Sequence, residues 1–264
     1  MIRTYLASLL LVTSLGACGG SSSSTADAPG ASIDANLTPD SPPGTPDAHD
    51  PFACAGAALP TTAPASLLIV GDTETISLSG TDPVTGATVA SYVKAGGSPL
   101  ATVTSNNTGA FQLTVATGGT PLDGYVLATK ATYLDTYLYP PSPLAADTDK
   151  AKMLMITPQL FTQLQAIATA TQTAGKGFVG VIVSDCDYQP VAGATITISS
   201  GDIRYTASGL PSMSATVTDT DGVALIFNVN PGAVTVTATA GGVTYRAHTF
   251  DVRADVVTTT AVQP

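Results

Sequence analysis

The feature that most limits what this chain can fold into is strict two-residue alternation, and it occurs twice in matching surroundings. Residues 233–240 read AVTVTATA, Val and Ala alternating with Thr. Phe111, Leu113 and Val115 share one face of an earlier segment, and Val223, Leu225, Phe227 and Val229 share one face of its later counterpart. A period of two puts successive side chains on opposite faces of a strand, so these segments call for sheets with a buried side. The punctuation between them repeats as well. Pro83-Val84-Thr85-Gly86-Ala87-Thr88-Val89 is echoed by Pro190-Val191-Ala192-Gly193-Ala194-Thr195-Ile196, each after a candidate strand at residues 75–80 and 178–184. Residues 101–104 and 215–218 both read ATVT, and the turns at 106–109 and 219–222 both end in Gly. Further strands are expected at 125–130 and 233–240. Two copies of one β-rich unit thus fill roughly 210 residues, the size of two ordinary domains. The absence of Trp, 25 Gly and only 11% charged residues agree with an all-β chain.

The order strand, P-Φ-x-G-A-x-Φ, strand, Gly-ended turn, strand, strand resembles the carboxypeptidase regulatory-like domain, over residues 66–139 and again over 177–262. The resemblance implies an all-β fold of two tandem Greek-key, prealbumin-like (transthyretin-like) β-sandwiches, assigned to residues 54–150 and 177–264. In other proteins such domains are commonly accessory folds beside a catalytic domain. Enzymes on transthyretin-like folds match poorly. Intradiol dioxygenases need two Tyr and two His on iron, and of the two histidines here His49 precedes the folded region. Hydroxyisourate hydrolases carry Tyr-Arg-Gly-Ser, where this chain has Tyr245-Arg246-Ala247-His248.

Residues 151–176 read as a connector with one amphipathic helix at 158–171. Thr157 suits its cap, Pro158 its first turn, and Gly175 follows its end. Leu160, Phe161, Leu164, Ile167 and Ala168 fall on one face at helical spacing, the pattern of a helix packed across a sandwich.

Ahead of the repeats, Arg3 precedes an apolar run from Tyr5 to Val12, and small residues lead into Cys18. Residues 1–17 therefore read as a secretory signal, too short for a spanning helix. Leu15-Gly16-Ala17-Cys18 resembles the bacterial lipobox, which implies lipidation of Cys18 by palmitate-type chains and attachment to a membrane. One acyl chain holds only marginally at ~0.8 kcal/mol per methylene, whereas several hold firmly. Gly19 in place of an aspartate implies, by the same resemblance, the outer membrane. Residues 18–53 are rich in Ser, Pro, Ala and Asp with few large apolar side chains, and are expected to form a disordered tether.

In an exported protein the other two of the three cysteines, Cys54 and Cys186, are expected to pair. The chain-entropy treatment assigns such a loop roughly 5 kcal/mol; two buried thiols are the alternative. Tyr133, Tyr137 and Tyr139 project to one side of an extended YLDTYLY segment. They are a candidate platform for a sugar or proline-rich peptide, or else a cover for the sandwich edge. Asp219-Thr220-Asp221-Gly222 lacks the later ligands of a calcium loop and reads as a hairpin turn. No catalytic set, metal site or cofactor is expected, since His248 stands apart from any nucleophile motif. A net charge of −10, with 9 Lys and Arg against 19 Asp and Glu, argues against nucleic acid. The expected role is non-catalytic: a lipid-anchored envelope protein whose modules bind a protein partner or support an assembly. A surface glycan-binding or adhesion module is the alternative, and a hydrolase is the least supported.

Overall fold

The computed structural model describes residues 50–77 and 80–264; the signal, Cys18, His49 and the tether before residue 50 lie outside them. Nearly all of the regular structure is β. A first sheet is built on β1 (Ser66–Ser77), which pairs antiparallel with β2 (Gly80–Pro83) and β5 (Ala110–Ala116) and parallel with β8 (Thr148–Leu154). A second is built on β14 (Gly232–Ala240), flanked by β10 (Thr195–Ile198) and β16 (His248–Val252), with β15 (Val243–Thr244) at its end.

The third sheet has nine strands and belongs to both halves of the chain. From one edge it runs through β12 (Leu210–Pro211), β11 (Asp202–Ala207), β13 (Val223–Val229), β9 (Gly177–Val183) and β17 (Val257–Val262). It continues through β7 (Thr136–Tyr139), β6 (Gly124–Thr129), β3 (Thr88–Val93) and β4 (Ala101–Thr104). The joint is the parallel pairing of β17 with β7, from Val257 opposite Thr136 to Thr260 opposite Tyr139. The chain crosses between halves through its helix, but the halves are also fused edge to edge.

Register assigns the faces of this sheet, because partners across a ladder point the same way. On one face, Val89, Val126 and Ala128 pack with Leu67, Ile69, Phe111, Leu113 and Val115 of the first sheet. Farther along that face, Phe178, Val223, Leu225, Phe227 and Val257 pack beneath the helix. On the opposite face, Val179, Val181, Val183 and Ile226 meet Val234, Val236, Ala238 and Phe250 of the second sheet, and this core extends to Tyr125 and Tyr139. Strands β6 and β7 are therefore covered on both faces.

Helix α1 spans Pro158–Ala168. The Thr157 hydroxyl accepts from the Leu160 N–H at 3.2 Å, and Pro158 sits where a missing N–H costs nothing. It ends at Thr169 in the left-handed region, short of residue 171. Leu164 and Ala168 are buried, but Ile167, assigned to the apolar face by spacing, is 41% exposed. The segment after the helix is held by Asn228, at a register shift between β13 and β9. Its side chain accepts from Thr173 N–H (2.7 Å) and donates to Thr171 C=O (2.8 Å) and Asp202 (2.9 Å).

The two copies share a hydrogen-bonded clamp around the P-Φ-x-G-A motif. In the first, the Ser105 hydroxyl donates to Val84 C=O (2.8 Å) and accepts from Ala87 N–H (3.0 Å). In the second, the Thr218 hydroxyl donates to Val191 C=O (2.7 Å) and accepts from Ala194 N–H (2.9 Å). Gly109 and Gly222 close the matching turns at φ +80° and +66°. A Cβ on either would lie 2.5 Å from Thr73 O or 2.6 Å from Val183 O, so only glycine fits. The clamp corrects one detail of the repeat. Ser105 matches Thr218, one residue out of step with the ATVT alignment, and residues 215–218 form no strand.

Candidate functional site

Cys54 and Cys186 form a disulfide with Cα atoms 5.8 Å apart, across a sequence separation of 132. Around it the entering chain is fastened to the second half. Cys186 N–H donates to Pro51 C=O (3.0 Å), Phe52 meets Tyr245 edge-on at 6.3 Å, and Arg246 donates to Ala57 C=O (2.6 Å). A small cleft beside the bond, ≈ 190 Å³, is lined by both cysteines with Leu59, Pro141, Tyr188 and Arg246.

The three tyrosines singled out by sequence do not share a face. Tyr137 and Tyr139, two apart on β7, point into the core under the second sheet, and Tyr139 is only 2% exposed. Tyr133 precedes the strand, after a left-handed Thr132, and packs on the opposite core, with the Lys130 ammonium 5.7 Å above its ring. What the fold assembles instead is a cluster missed by sequence reading: Tyr92, Tyr125, Tyr137 and Tyr139 around Arg253. Tyr92 stacks on Tyr125 at 5.1 Å, and Tyr125 lies 5.5 and 5.3 Å from Tyr137 and Tyr139. The Arg253 guanidinium sits 4.8 Å from the Tyr125 ring and 4.2 Å from that of Tyr137, and donates to the Tyr139 hydroxyl (2.8 Å). A planar cation over two rings is an efficient use of their negative faces. Burial pushes the Tyr137 and Tyr139 hydroxyls above their usual range, partly offset by Arg253. Tyr92, Tyr137 and Arg253 are half-buried, so one side of the cluster meets solvent.

His248 stacks on Phe250 of its own strand at 5.3 Å, and its Nε2 has no hydrogen-bond partner among the described residues. Burial, assisted by the Lys94 charge, lowers its pKa to about 4, so it stays neutral near pH 7. The acidic turn residues accept from nearby backbone N–H groups and, at Asp221, from a hydroxyl as well. Asp219 accepts from the N–H groups of Ser208 and Thr220, which lowers its pKa. Asp221, 6% exposed, accepts from the Thr206 hydroxyl (2.6 Å) and Val223 N–H (3.0 Å), while burial raises its pKa. Asp185 accepts from the N–H groups of Asp187 and Gln189. Among the described residues no three His, Cys, Asp or Glu side chains converge as a metal site, and no helix is long and apolar enough to cross a membrane.

No protein-family model matches the chain, and no curated protein does. Solved structures similar to it include the shaft pilin SpaA from Lactobacillus rhamnosus GG, 16% identical, covering 75% of this chain and 98% of that one at a TM-score of 0.25. The minor pilin GBS52 of Streptococcus agalactiae is 14% identical over 75% of this chain and 94% of its own, at 0.24. The Bacillus anthracis TIE protein is 12% identical over 74% of this chain and 33% of its own, also at 0.24. Scores this low carry neither topology nor role from those proteins to this one.

Proposed function

We propose that this is a non-catalytic cell-envelope protein, attached through lipid on Cys18 to the outer membrane. In this reading residues 18–53 are a tether, and two carboxypeptidase regulatory-like sandwiches form a scaffold that presents loops and edges to a protein partner. The observation that carries the reading is how the polar side chains at the turns and at the joint between the halves are used. Ser105, Thr218, Asp185 and Asp221 are spent on bracing turns, Thr260 on the Tyr139 carbonyl across the joint between the halves, and the cysteines on fastening the entering chain. Such an inventory suits rigidity rather than turnover. The test is fractionation of cells supplied with a clickable fatty acid. The wild-type chain takes the label and sediments with membranes, and Cys18→Ser loses both. A Cys18→Ser protein still labelled and membrane-bound would refute the anchor. Protease treatment of intact cells then tells a surface-exposed head from a periplasmic one.

A second reading, glycan capture, is favoured by the solvent-facing side of Tyr92 and Tyr137 beside Arg253. A glycan-array signal that Tyr137→Ala abolishes, read at a temperature where circular dichroism shows the variant still folded, would select it over the scaffold reading.

A further inference from the structure

The strand pairings leave one long sheet edge unguarded. Thr73 N–H donates to Gly109 C=O and Thr117 N–H to Ala65 C=O, so in the β1–β5 ladder Phe111, Leu113 and Val115 turn their backbone groups inward. Ala110, Gln112, Thr114 and Ala116 turn theirs outward. Ala110 is closed off by Asn106, which donates its N–H to Ala110 C=O and accepts Ala110 N–H on its side chain. Among the described residues nothing takes the outward N–H and C=O of Gln112, Thr114 or Ala116.

Of the other edges, β4 is only four residues long, and the rest carry the usual protections. Along β8 stand Lys150 and Lys152 and a register shift. On β10 the Ile196 N–H is taken by the Tyr205 hydroxyl at 2.8 Å. Lys94 donates to Thr249 C=O on β16, and β12 contains Pro211. By contrast β5, AFQLTVA, has no charge, no proline and no register shift against β1. Its counterpart in the other half, β13, has that same edge filled: β11 pairs along it antiparallel, from Asp202 opposite Phe227 to Tyr205 opposite Ala224. In the first half no strand among the described residues takes that edge, since β4, which follows β3 and leads into the turn before β5, pairs with β3 instead.

We propose that β5 pairs antiparallel with β5 of a second copy of this chain, about a two-fold axis at Thr114. Thr114 then faces Thr114 of the second copy and Gln112 faces its Ala116, which uses every outward backbone group of the three residues. A two-fold perpendicular to the sheet keeps Phe111, Leu113 and Val115 of both copies on the core side, and Gln112 and Thr114 on the wet side. A second copy fits better than a foreign strand because an uncharged edge offers no charge for a particular partner to read, whereas its pattern is self-complementary. The chain already joins sandwiches edge to edge, at β7 and β17.

The test is sedimentation velocity of the full chain carrying Cys18→Ser, over a concentration series. A reversible shift from monomer to dimer is expected, stronger at higher salt, which screens the repulsion between two chains of net charge −10. Thr114→Pro removes an outward N–H without touching the β1 ladder, so it should remain monomeric with an unchanged far-UV spectrum. Thr114→Lys, on the exposed face, is the second variant should the proline perturb folding. Under mild oxidation Thr114→Cys should cross-link between copies, and Thr102→Cys on β4 should not. A wild-type chain monomeric throughout, a dimer indifferent to both Thr114 variants, or equal cross-linking at residue 102 would overturn the proposal.

Discussion

Replacing Thr218 by Val tests the turn clamp with almost no change of shape. Thr218 is 2% exposed, its hydroxyl bridges Val191 C=O and Ala194 N–H at 2.7 and 2.9 Å, and Ala194 is fully buried. Each hydrogen bond contributes about 1 kcal/mol net, and a buried donor left without a partner costs about 1–3 kcal/mol more. The expected loss is therefore about 3 kcal/mol, since the surrounding turn can relax part of the penalty. For a folded unit of this size that corresponds to a fall in melting temperature of about 6–12 °C. Urea titration followed by circular dichroism reads it as a lower midpoint at unchanged slope. Thr218→Ser keeps the hydroxyl and should recover most of the loss. Ser105→Ala should cost a similar amount in the first half, and the two losses should add, because the clamps share no partner. A Thr218→Val protein within about 0.5 kcal/mol of wild type, or a Ser variant as weak as Val, would refute the clamp as a source of stability.

Three further outcomes follow from the geometry. Cys54→Ser with Cys186→Ser should lower stability by up to about 5 kcal/mol, given the 132-residue separation, and reductant should reproduce the loss in the wild type. His248 is held neutral, with its folded pKa near 4 against an ordinary 6.5. Its contribution is present above pH 6.5 and lost as pH falls from there through about 4, so His248→Phe should flatten stability in that window, as pH-dependent melts would show. Arg253→Lys should cost about 1–2 kcal/mol, because an ammonium cannot both cover two rings and reach Tyr139; equal melting of the two proteins would contradict the stacking argument.

What was legible in the sequence was local. Alternation located β5, β13 and β14, the Thr157-Pro158 pair located the start of α1, and the repeated proline–glycine–alanine turn exposed the duplication. The β7–β17 joint was not legible, because periodicity within a strand says nothing of its partner a hundred residues away. That omission explains the tyrosines. Spacing correctly put Tyr137 and Tyr139 on one side of a strand, but a period of two cannot say whether that side faces water. Here a second core covers it. Tyr133 falls outside that pattern because residues 131–135 form a turn and an irregular stretch, so the period of two begins only with β7 at Thr136. Arg253 gave no signal at all: its partners come from β6 and β7, far away in the chain.

The fastening of residues 51–57 to the second half has a mechanical meaning. The chain enters beside Cys186, yet runs on to build the first sandwich before the second. Tension applied ahead of Pro51 is handed at Cys54 to the turn after β9. Residues 55–65 and the whole first sandwich are left slack. Strand β9 has neighbours on both sides, β13 and β17, so the load falls on an interior strand of the nine-stranded sheet rather than on a border that could be unzipped. Reducing one bond would reroute the pull onto β1, turning a shackle into a ripcord.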